Sequence, residues 1–166
     1  MELFLRPSPP SRDEVSEKMS IAVVPFDNMS KDPEQEYFAD GISEDLITDL
    51  SKISNLFVIA RNSSFTYKGK PANVKKISRE LGVRYVLEGS VRKSEDRVRI
   101  TAQLIDAIDG KHMWAQRYDR ELKDIFKLQD EITLKIVRAM RVNLTEGEQA
   151  NIWGRKSPNN VEYIEK

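Results

Sequence analysis

Four side chains in two short polar stretches have the types that hold a small anion. Asn28 lies in Asp27-Asn28-Met29-Ser30, and Arg61, Asn62 and Ser63 lie in Arg61-Asn62-Ser63-Ser64. An arginine fork matches a carboxylate or phosphate, and the asparagine amides and serine hydroxyl add donors and acceptors around it. Each stretch follows an apolar run that reads as a strand. In an α/β sheet, ligands gather beyond the carboxyl ends of parallel strands, where both stretches would then lie. The expected site is therefore Asn28, Arg61, Asn62 and Ser63, with a small anionic ligand or a peptide as its occupant. The same residue types also form turns and caps, with Arg61 in a structural ion pair. Both readings stand at this level.

Other chemistry is thinly represented. There is no cysteine, so thiolate nucleophiles and thiolate metal sites are excluded, and His112 is the only histidine. A metal would need an otherwise all-carboxylate site. No nucleophile and orienting partner stand at recognisable spacing from His112, and a structural hydrogen bond on a strand is its expected role. Glu44-Asp45, Glu95-Asp96 and Asp130-Glu131 are adjacent acids, which do not face each other on a helix and suit solvated surfaces. Phosphate-binding glycine loops, G-x-S-x-G and H-E-x-x-H are absent. The expectation is a domain with no enzymatic activity, no cofactor and no metal.

Charge narrows the partners. The 166 residues carry 27 Lys and Arg against 27 Asp and Glu, so the net charge is zero with His112 neutral. That balance argues against nucleic acid or an acidic membrane as the main partner. Arg92, Lys93, Arg97 and Arg99 still form a local basic group, readable as a solvated strand face that discourages edge pairing. No apolar run approaches the ~18 residues of a membrane span, and the first twenty residues lack the basic lead and long apolar stretch of a signal peptide.

The elements that must position these residues are well marked. Val83 to Arg120 alternates with period two and is broken at Ser94-Glu95-Asp96 and Asp109-Gly110, the pattern of a three-strand antiparallel meander with one wet face. Its first strand places Tyr85, Leu87, Gly89 and Val91 on one face. Ser20–Phe26 and Leu56–Ala60 are short, almost continuous apolar runs, as in strands buried on both faces. Between them, Asp32-Pro33-Glu34-Gln35 is a helix start followed by the stripe Phe38, Ile42, Leu46 and Leu50. Gly41 inside that helix predicts close approach to the sheet. Arg61 to Ser64 reads as a loop, and Phe65-Thr66-Tyr67 as a short extended piece. A small helix runs from Asn73 to a stop at Gly82. A long one starts at a cap on Asp124 and carries Leu128, Ile132, Ile136, Met140 and Leu144, ending at Thr145-Glu146-Gly147.

The fold class is therefore α/β: a single domain with a mixed sheet of about five strands, two buried and parallel plus the meander, packed by about three helices. Residues 1–19 read as a proline-rich flexible linker, 20–145 as the domain, and 146–166 as a tail leading toward a following region.

Several long motifs resemble one bacterial module: SIAVVPF from Ser20, DPEQEYFADGISEDLITDLSKI from Asp32, FVIARNSSFTYKGK from Phe57, ELGVRYVLEGSVRK from Glu80, RVRITAQLIDAIDGKHMWAQRYDR from Arg97 and DIFKLQDEI from Asp124. The match, over about Ser20 to Leu144, is to the TolB amino-terminal-like domain, related to the FlgO family. The resemblance implies a non-catalytic accessory domain of a multidomain signal-transduction protein. Such a domain lies between an effector, such as a class III adenylate or guanylate cyclase or a winged-helix domain, and tetratricopeptide repeats. Implied partners are the neighbouring domains of the same protein; a homodimer, through an exposed edge strand or the last helix, belongs to the competing dimerisation reading. The cyclase-linked arrangement implies a cytoplasmic setting, although periplasmic relatives exist. A regulatory segment of a cyclase and a dimerisation or spacer module are the alternatives.

Overall fold

Ser20–Val23 forms strand β1, and all four of its residues are buried. Ile21 and Val23 enter one apolar cluster and Ala22 the other, as expected of a strand covered on both faces. The computed structural model describes residues 19–70 and 72–154. The expected proline-rich linker, apart from Met19, and the final residues from 155 onward fall outside them.

After Pro25, Asp27–Asn28 forms β2, a two-residue strand where the sequence suggested only a loop. A 3₁₀ turn at Pro33–Gln35, capped by the Asp32 carboxylate accepting from Glu34 N–H at 2.9 Å, opens helix α1, Glu36–Ser51. Ile42, Leu46 and Leu50 of its stripe are fully buried. β3 is shorter than expected, Phe57–Val58. Helix α2 follows at Arg61–Ser64 and a 3₁₀ turn at Phe65–Tyr67, so neither the expected loop nor the extended piece is present. A Ser64 hydroxyl donating to Arg61 C=O and a Thr66 hydroxyl donating to Ser63 C=O close these tight turns locally.

Helix α3, Val74–Leu81, has both expected ends: Asn73 accepts from Lys76 N–H at 2.8 Å, and Gly82 takes φ 68°. The meander is β4 (Tyr85–Ser94), β5 (Arg97–Asp106) and β6 (Lys111–Glu121). Gly110, at φ 70°, completes the second turn. Helix α4, Ile125–Met140, begins without a side-chain cap from Asp124, and Arg141, at φ 59°, ends it before Leu144. Helix α5, Glu146–Gly154, follows.

The sheet has six strands in the order β3-β1-β4-β5-β6, with β2 also pairing β4. β1 is parallel to β3 and β4, and the meander pairs are antiparallel. The α/β expectation holds, with Asp27–Asn28 as the sixth strand. The main core joins α1, α4 and one sheet face, including Ile21, Leu87, Ile100, Leu104, Ile132 and Ile136. A smaller cluster of Ala22, Ile59, Ile77, Val83, Val86 and Ala107 lies between α3 and the opposite face.

Gly89 is needed by this packing. A Cβ there would stand 2.1 Å from Thr101 C=O and 2.9 Å from the Phe26 ring. Gly41, by contrast, faces open space, with nothing within 4 Å of a built Cβ, so the expected close approach of α1 does not occur.

Candidate functional site

Because α1 and α4 lie on one side of the meander, its other face carries no helix of the described residues beyond the reach of α3. Ser90, Arg92, Arg97, Arg99, Thr101 and Gln103 stand there, half-buried or exposed. Where this bare face meets the connection between α2 and α3 there is a groove of about 570 Å³. Val24, Ala72 and Ile77 give it an apolar side, while Asp27, Lys70, Glu88, Ser90, Thr101 and Gln103 supply polar groups.

Strand register sets the polar wall. Glu88 faces Gln103 and Ser90 faces Thr101 across β4 and β5. The Gln103 amide donates to Glu88 at 2.8 Å, which orders both side chains. On the opposite wall the Tyr67 hydroxyl donates to Glu80. Burial, helped by that bond and the Glu80 charge, pushes the Tyr67 phenol up to about 12, so it remains a neutral donor. Two carboxylates against one lysine make the groove unattractive to an anion. An apolar side with neutral amide and hydroxyl groups suits a small amphipathic molecule or an extended peptide side chain.

The four residues expected at the site are placed differently. Arg61, Asn62 and Ser63 share α2, all exposed. Arg61 Nε donates to Glu44 on α1, and its guanidinium lies 4.2 Å from the Phe65 ring centre. Asn28 serves its own loop, accepting from Ser30 N–H at 2.9 Å and donating to Asp32 C=O at 3.1 Å. Arg61 thus has the structural ion pair that the sequence left open, and none of the four lines the groove. The cations nearest the Asn28 loop are Lys31, Arg92 and Lys93, around a shallow hollow of about 580 Å³ that also includes Ser30, Asp32 and Glu95. His112 is exposed near the register shift at Leu104/Ile105, not in the expected structural hydrogen bond.

Tyr67, Lys70, Glu88 and Gln103 were missed by sequence reasoning. The polar side of the meander was visible, but the wall opposite it depends on where an irregular connection folds. Among the described residues no group of three or more His, Asp or Glu could hold a metal, and no helix is long and apolar enough to cross a membrane.

Comparison with known proteins gives the geometry a context. The family model described as the HilA/YgeH-like transcriptional regulator, second domain, matches residues 16–146. A Rhizobium meliloti (strain 1021) protein named "Putative adenylate cyclase 3" is 70% identical over 132 residues, 80% of this chain and 22% of its own length. The chain thus spans about a fifth of that relative. Among solved structures, TolB from Acinetobacter baumannii has a TM-score of 0.55 at 19% identity, over 75% of this chain and 28% of TolB. Lipoprotein GNA1162 from Neisseria meningitidis has a TM-score of 0.52 at 20% identity, over 72% of this chain and 96% of its own. The TolB resemblance therefore holds for the fold, while the family model that matches carries a different name.

Proposed function

Because the chain belongs to the family of HilA/YgeH-like transcriptional regulator second domains, we propose that it is a non-catalytic regulatory domain of a multidomain signalling protein. The observation that carries this reading is the match of residues 16–146 to a family described as the second domain of a transcriptional regulator. The relative named as a cyclase is 70% identical over 132 residues, 22% of its length, and its name belongs to that whole protein. Its task would be to take a small ligand or protein segment on the bare face of the meander and pass a conformational bias to its neighbours. An effector before it and tetratricopeptide repeats after it are the neighbours that the resemblance to the TolB amino-terminal-like domain implies. A setting where ATP is available, the cytoplasm, fits a cyclase-linked domain.

Two binding regions compete within this reading. The groove by Gln103 favours a neutral or amphipathic ligand. Asn28 and the Arg61-Asn62-Ser63 group favour an anion, which would have to displace Glu44 from Arg61. A thermal-shift screen of nucleotides, small carboxylates and short peptides, repeated on Gln103→Ala and Arg61→Ala, separates them. A shift lost only in Gln103→Ala places the ligand in the groove, and one lost only in Arg61→Ala places it at α2. No shift with any compound from folded protein overturns the small-ligand form of the proposal. ATP turnover by the purified chain would overturn its non-catalytic form.

A further inference from the structure

β6 pairs with β5 on one side, and no described strand pairs with its other edge. At eleven residues it is far longer than the opposite edge strand, the two-residue β3. Its outward hydrogen-bonding groups follow from the register. Leu122 N–H donates to Asp96 C=O at 2.6 Å, continuing the Arg97↔Glu121 pairing. Bonded and non-bonded pairs alternate in an antiparallel ladder. Arg120, Tyr118 and Gln116 therefore bond toward β5, and Ala115, Arg117 and Asp119 direct their N–H and C=O groups to the outer edge. There the Arg120 guanidinium reaches the Asp119 C=O at 3.3 Å, a long side-chain bond that strand pairing would replace. The side chains of these three residues are exposed on the bare face.

The charges along this edge complement a second copy in one antiparallel register. We infer that two copies of the chain join through their β6 edges, with a two-fold axis at Tyr118, so that Arg117 of each faces Asp119 of the other. Asp119 already pairs with Arg99 of its own chain at 2.6 Å, and Arg117 forms no ion pair among the described residues. The dimer completes a row of Arg99, Asp119 and Arg117 of the second copy, twice. An axis at Arg117 would oppose two arginines, and one at Asp119 two carboxylates. An axis at Gln116 would leave Arg117 against Ala115 and Asp119 against Met113. The pairing closes the exposed backbone edge and makes one continuous sheet of two bare faces. It stands independently of the ligand reading.

Sedimentation equilibrium of the full chain over a wide concentration range, with circular dichroism to confirm folding, tests the inference. The parent chain is expected to dimerise reversibly. Arg117→Asp alone and Asp119→Arg alone each put like charges together at both contacts and should weaken the dimer about tenfold or more. An equimolar mixture of the two variants restores opposite charges at both contacts and should recover dimer, as a heterodimer. A parent chain that stays monomeric at every concentration overturns the proposal, whether the edge is free or covered by another segment of the chain. So does a dimer that both single variants leave unchanged, or variants whose mixture fails to recover association.

Discussion

The two halves of the sheet are built differently. The half around β1, β3 and the start of β4 is parallel and covered on both faces, by α1 on one and α3 on the other. The half made by the meander is antiparallel and, among the described residues, covered on one face, by α1 and α4. In the first half a residue's orientation decides which core it joins; in the second it decides between core and water. Candidate binding features therefore collect on the second half: the groove wall of Glu88, Ser90, Thr101 and Gln103, the arginine-rich face and the unpaired edge. The covered half contributes a support and the opposing lip.

The contrast can be broken most severely at Gly89, where the bare half presses against Phe26. Gly89→Val adds atoms into space already held by the Thr101 carbonyl and the Phe26 ring, and the chain is expected not to fold, by loss of the cooperative thermal transition. Next come the two cores. Ile100→Ala in the main cluster should cost about 4 kcal/mol, and Ile77→Ala in the small cluster, beside the groove where the site can relax, about 2 kcal/mol, both by urea denaturation. Equal losses would mean that the small cluster is as tightly packed as the large one.

A smaller effect is expected where the halves join. Buried Asp106 accepts from Arg84 Nη2 at 2.9 Å and from Ile108 N–H at 3.1 Å. Asp106→Ala removes both of these bonds, and a loss of about 2 kcal/mol should appear in the same assay, moderated by the partial exposure of Arg84.

The smallest expected effect has the opposite sign. Tyr118 has a buried hydroxyl with no hydrogen-bond partner among the described residues, so Tyr118→Phe should stabilise by about 1 kcal/mol near neutral pH. Burial, reinforced by the Glu131 charge against the opposing effect of Arg120, raises the Tyr118 phenol from 10.0 to about 12. The folded state thus holds this proton more tightly than the unfolded chain. The associated stability is present below about pH 10 and is lost between about pH 10 and 12. Alkaline melts of the parent and Tyr118→Phe should show a shallower pH decline in the variant.

The meander was legible because β4 and β5 state their own alternation, β6 less cleanly with Tyr118 as its one buried residue, and the turn residues fix where it reverses. β1 was legible as a continuous apolar run. The expected Arg61 site was not resolved by the same logic, since proximity to a strand end does not reveal that Glu44, on α1 and 17 residues earlier in the chain, will take the guanidinium. The segment after β3 failed for a related reason: Arg61 to Tyr67 lacks a helical stripe, and its short turns are held by local hydroxyl bonds. At the other end, Thr145-Glu146-Gly147 reads as a stop, although with Glu148 its spacing is a capping box. Thr145 accepts from Glu148 N–H at 3.1 Å, and Glu148 accepts from Thr145 N–H at 2.9 Å. That signal was present and attributed to the preceding helix.

The register also implies unequal costs of closure during folding. β4, β5 and β6 meet through short reversals, whereas the parallel half must bring Ser20 to Arg84, whose N–H donates to the serine hydroxyl across 64 residues of chain. Local closures cost less chain entropy than distant ones. The meander is therefore the part whose closure costs the least chain entropy, and docking of the strand buried on both faces costs more.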